Sequence, residues 1–143
     1  MWSMTQPNDN APVDRTRTHP DERFAPPAQA FDLDAAVAEL ARETTTPHAG
    51  HRQKTLYRHG QSTLALFVFQ PGGEMREHRT NGTVFIQVLR GRLTVKTGGE
   101  RHDLSAGRVL VLSPGVPHDL HAEELTQMLL TVSLQPAPAG ANA

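Results

Sequence analysis

The chain of 143 residues contains no cysteine, which excludes disulfide bonds and thiolate metal ligands and leaves only imidazole and oxygen donors for any metal. Aromatic residues make up 5% of the sequence, so a core must be built mainly from aliphatic side chains. No apolar run approaches the roughly 18 residues of a membrane-spanning helix. The opening MWSMTQPNDNAPVDRTRTHPDER lacks the apolar centre of a secretory signal. Neither sign of charge dominates: 14 basic and 15 acidic residues are interspersed along the chain. There is thus no basic stripe suited to nucleic acid and no basic amphipathic helix suited to a membrane surface. P-loop, dinucleotide-binding, nucleophile-elbow and zinc-finger patterns are also missing. These absences predict a soluble cytoplasmic protein with neither nucleic acid nor membrane as partner.

What is present points to one domain with polar ends. Hydrophobic residues account for 37% of the chain, enough for one modest core. Residues 1–30 hold five of the 11 prolines among Asn, Asp, Thr and Arg, a composition that buries too little apolar surface to offset chain ordering, and read as a disordered leader. Residues 31–50 read as a helix and a linker. In FDLDAAVAELARE, Leu33, Val37 and Leu40 recur at helical spacing behind Asp32, a suitable N-cap. TTTPHAGH then stops the helix through β-branched residues and Pro47. Residues 51–135 carry the globular domain, and the Pro/Ala-rich residues 136–143 read as a disordered tail.

From Thr55 the pattern changes to short strands between turn signals. The candidates are Thr55–His59, Ser62–Gln70, Thr83–Arg90, Arg92–Thr97, Glu100–Leu104, Arg108–Ser113 and Thr126–Leu134. They predict an all-β sandwich or barrel with one short N-terminal helix. Side chains alternate across a strand, and in two of these strands both faces are apolar. Leu64, Leu66 and Val68 oppose Ala65, Phe67 and Phe69; Val84, Ile86 and Val88 oppose Phe85 and Leu89. One interior covers one face. The other needs the helix or a second subunit, which predicts a homodimer.

Gly72, His78 and Gly91, followed by Gly107, Gly115 and His118, fall at the spacing of the two sequence motifs of the cupin superfamily. The chain from Tyr57 to Leu134 therefore resembles a small single-domain cupin, and the resemblance implies a double-stranded β-helix, or jelly-roll barrel. In metal-binding members three histidines and a glutamate converge inside the barrel on Mn, Fe, Ni, Zn or Cu. Here Thr80 occupies the place of the second histidine and Val84 that of the glutamate. Ser113 stands at the second motif's proline and Ala122 at its closing asparagine.

Two outcomes follow from this degenerate metal motif. The first is a pocket formed by His78, Thr80 and His118 that binds a small molecule without metal. The second is a metal-dependent enzyme, an oxygenase or isomerase, in which His78 and His118 recruit an unorthodox third ligand, since a catalytic centre usually has three protein ligands plus water. Gln87 is a candidate for that role, because an amide oxygen can coordinate. Its position three residues beyond Val84 directs it to the opposite face unless a bulge intervenes. The same alternation turns His121 and Asp119 away from His118, places Met75 opposite His78, and leaves Glu74 as the nearest carboxylate. Two imidazoles also suit acid/base chemistry near neutral pH. The cofactor expectation is accordingly none or one divalent transition metal.

Overall fold

The computed structural model describes residues 25–136, so the proposed leader and tail lie almost wholly outside it. Helix α1, Leu33–Ala41, begins where the sequence pattern places it: Asp32 is extended and its carboxylate accepts from the Ala35 N–H at 3.0 Å, which satisfies one of the free donors of the first turn. Nine strands follow: β1 His51–His59, β2 Ser62–Phe69, β3 Glu74–His78, β4 Gly82–Arg90, β5 Arg92–Thr97, β6 Glu100–Ser105, β7 Val109–Leu112, β8 His118–Ala122 and β9 Thr126–Leu134. Among the described residues no helix is long and apolar enough to cross a membrane.

The strands form two antiparallel sheets, β1-β2-β9-β4-β7 and β3-β8-β5-β6, packed face to face as a jelly roll. Their inner faces supply one core. Ala65, Phe67, Phe69, Val84, Ile86, Val88, Leu112 and Met128 come from the larger sheet; Leu93, Val95, Leu104, Leu120 and Ala122 come from the smaller. Each fully buried aliphatic or aromatic side chain of this kind contributes about 1.5–3 kcal/mol. Gly91 joins β4 to β5 at φ +89, and a Cβ there would lie 2.3 Å from the Leu125 carbonyl oxygen. Only glycine fits both the backbone conformation and the space.

The second apolar face is covered in part by α1 from the same chain. Ala36 and Leu40 bury Leu66, with Val37, Leu56, Val68 and Leu89 around them. The buried stripe is rotated from the expected one, with Ala36 inside and Leu33 only half-buried. Lys54 with Glu39 and Arg52 with Glu43 tie the end of the helix and the residues after it to β1. Beyond its reach the outer face stays open. Phe85 on β4 lies opposite Val111 on β7, and Phe85, Val109 and Val111 are 37%, 52% and 53% exposed.

Two strands, β3 and β8, are absent from the pattern-based set, and they carry the two motif histidines. EMREH and HDLHA contain no β-branched residue and little apolar surface, so strand propensity does not mark them. β1 also starts at His51 rather than Thr55, and the supposed linker before it becomes part of the site described next.

Candidate functional site

β1 and β3 are edge strands of different sheets, and the jelly roll opens between them. A short strap, residues 48–51, crosses this gap. The Glu74 N–H donates to the Ala49 carbonyl at 3.0 Å and the Gln70 N–H to the Gly50 carbonyl at 2.8 Å, while Gly50 lies directly on Gly73. A Cβ on Gly73 would sit 2.4 Å from the Gly50 oxygen. The crossing thus requires glycine immediately before β3, and it anchors the start of β1 against the opposite sheet.

The strap and the two edges border a half-open cavity of about 480 Å³ whose lining includes His48, His51, Gln53, Glu74, Met75, Arg76 and His78. His51 is 8% exposed, with its ring 5.7 and 5.4 Å from those of Phe67 and Phe69 and 6.0 Å from that of His48. Its Nδ1 lies 3.1 Å from the Glu74 carbonyl oxygen; a carbonyl only accepts, so Nδ1 carries the proton. Burial pushes this imidazole below its ordinary pKa, and the neighbouring His48 and His78 push the same way, against the Glu74 carbonyl and the Gln53 side chain.

His78 and His118 are brought together as their motif positions imply. They pair across β3 and β8, with ring centroids 6.2 Å apart and planes inclined by 71°. His118 is 5% exposed and donates from Nδ1 to the Val116 carbonyl at 3.0 Å, whereas His78 is exposed at the rim.

The other candidates separate. Thr80 donates its hydroxyl to the Gly82 carbonyl at 3.3 Å, a local turn contact rather than one with the histidines. Val84 is buried hydrocarbon in the core. Gln87 alternates with the buried Ile86 and Val88 and pairs with Val109 and Leu129, so it faces away from the interior; β4 has no bulge between Val84 and Gln87 that would turn it inward. His121 and Asp119 are exposed, as alternation requires. Met75 differs from expectation. β3 is irregular between Met75 and His78, so Met75 pairs with Leu120 and shares the inner side with His78. Glu74 pairs with His121, and its carboxylate accepts from Arg76 Nε at 3.0 Å.

The donor set does not fit the metal centre of the family. Thr80 and Val84 offer no ligand where two are needed, Gln87 points outward, and among the described residues no group of three or more histidine and carboxylate side chains is placed to hold a metal ion. The residues that pattern reasoning missed are His48, His51 and Gln53, assigned to a linker or to no element. The recurrence of histidine around a glycine in HAGH is the sole local signal of their role.

The cupin domain family model matches residues 65–133. A conserved protein of unknown function from Streptococcus pyogenes is 25% identical, with a TM-score of 0.60 over 77% of this chain and 90% of that one. A cupin superfamily protein from Desulfitobacterium hafniense is 20% identical, with a TM-score of 0.63 over 76% and 94%. The salicylate 1,2-dioxygenase of Pseudoaminobacter salicylatoxidans is 20% identical, with a TM-score of 0.61, and 71% of this chain covers 32% of that one. No curated protein matches the chain.

Proposed function

We propose, for a chain that belongs to the cupin superfamily, that it is a small-molecule-binding protein whose ligand occupies the cavity between β1 and β3. The observation that carries this reading is the cavity itself. Its volume of about 480 Å³ falls in the range of ligand pockets, and it combines an apolar wall with a few convergent polar groups. His78 stands at its rim, His51 forms its buried wall, and His118 backs His78 across the β3–β8 pair. Fold alone assigns no reaction, and the donor set supports no metal-dependent one.

A fragment screen followed by amide resonances tests the reading. Binding compounds should move the signals of Gln53, Met75 and His78 together and leave those of Lys96 and Asp119, on the outer face of the smaller sheet, in place. A screen in which no compound moves the cavity signals overturns it. Metal analysis of protein purified without chelators supplies the second arm: stoichiometric metal, lost in both His78→Ala and His118→Ala, contradicts a metal-free pocket.

The proposed assembly is a homodimer. Phe85, Val109 and Val111 form an exposed apolar patch on the outer face of the larger sheet, where α1 does not reach, and a second copy of the same face would cover it.

A further inference from the structure

The donors and acceptors around the cavity narrow the ligand, on the reading that this cavity is the binding site. Its wall is rich in N–H groups. His48 and His78 are exposed imidazoles, Gln53 carries an amide, and the Arg76 guanidinium has donors beyond the one it gives to Glu74. The one carboxylate of the lining, Glu74, is already engaged by that arginine. A ligand that completes such a wall supplies acceptors. Met75, Ala49 and the rings of Phe67 and Phe69 behind His51 call for an organic body attached to them.

His51 adds a second element. Its ring is buried, yet the Glu74 carbonyl and the Gln53 side chain both favour a proton on it. What opposes the charge is desolvation together with the nearby His48 and His78. The titratable and charged groups facing this region are His48 on the strap, Glu43 before it and Arg52 on β1, which pair with each other at 3.3 Å, Glu74, Arg76 and His78 on β3, and His118 on β8; β2 contributes only Phe67 and Phe69. None of these is an unpaired anion beside the ring, and a carboxylate in the cavity would be one.

We propose that the cavity takes a small organic carboxylate, and that the ligand enters together with a proton drawn from solvent that settles on His51. The structure thereby assigns His51, outside both sequence motifs, as the group that couples binding to proton uptake.

Calorimetric titration of the full chain with benzoate, in two buffers of unlike ionisation enthalpy near pH 7, tests this. Benzoate should bind with uptake of up to about one proton, and benzamide, its neutral counterpart, at least about tenfold more weakly. His51→Phe, which keeps an aromatic ring beside Phe67 and Phe69, should abolish the uptake. His48→Ala, an exposed change that leaves the core untouched, should weaken benzoate severalfold. His121→Ala on the outer face should change neither. Equal affinity for benzoate and benzamide, or an uptake that survives in His51→Phe, overturns the proposal. If neutral fragments move the cavity resonances and benzoate does not, the carboxylate is wrong and the pocket stands; if no compound moves them, both fall.

Discussion

His78 stands directly opposite His118 on the β3–β8 pair, rings 6.2 Å apart, one exposed and the other almost fully buried. This puts one motif imidazole within reach of an entering ligand and holds the other in place through its bond to the Val116 carbonyl. The third imidazole, His51, comes from the opposite sheet and depends on the strap.

That dependence predicts a pH effect on stability. The folded state holds His51 below the ordinary imidazole value of 6.5, so as pH falls through that value the unfolded chain takes up a proton that the native protein resists. Stability is then lost progressively between that value and the lowered native pKa, and this group takes nothing away at higher pH. Glu39 and Asp103, held low by the hydrogen bonds from Lys54 and from the Thr94 hydroxyl, contribute only at more acidic pH. Urea midpoints measured at about pH 7.5 and about pH 5 should fall for the wild type and fall less for His51→Phe. Equal losses would contradict this role of His51.

Gly73→Ala should cost about 2–4 kcal/mol, because its Cβ would lie 2.4 Å from the Gly50 carbonyl oxygen and 2.9 Å from that of Gln70, backbone atoms that move only with the strap. Denaturant unfolding gives the loss. The same variant should expose the ring of His51, raising its reactivity toward diethyl pyrocarbonate.

Thr126 is fully buried, and its hydroxyl lies between the N–H and the carbonyl of Arg92, at 3.1 and 3.0 Å. Thr126→Val keeps the shape and leaves the Arg92 N–H without its partner. A loss of about 1–3 kcal/mol in unfolding free energy is expected, whereas Thr131→Val, on the half-exposed outer face, should stay within about 0.5 kcal/mol.

The patch of Phe85, Val109 and Val111 predicts a dimer in solution at micromolar concentration, and Val111→Lys should convert it to a monomer by placing a charge at the centre of the contact. Sedimentation of both proteins decides the matter. A wild type that sediments as a monomer removes the proposed interface.

Much of this architecture is legible in the order of residues. The two-sided apolar strands at 62–69 and 82–90, the turn glycines and the capped helix specify a β-sandwich with an extra face to cover, because period-two alternation and turn chemistry act locally. Gly72, His78, Gly91, Gly107, Gly115 and His118 locate the two motif histidines for the same reason: their spacing along the chain is preserved in the fold. The outward direction of Gln87 follows from alternation on a regular strand.

Only the tertiary structure decided the remainder of the site. Whether Met75 shares a side with His78 depends on a strand irregularity that no local pattern announces. β3 and β8 hold as strands because their backbones pair, although their short, mostly polar side chains carry little strand propensity. His51 reaches the cavity from the far sheet because Gly50 crosses Gly73 at backbone contact, a meeting of residues 23 positions apart. Long-range pairing and close backbone approach depend on residues distant in sequence, and that is why the sequence alone determined the frame and the motif histidines while the fold decided what surrounds them.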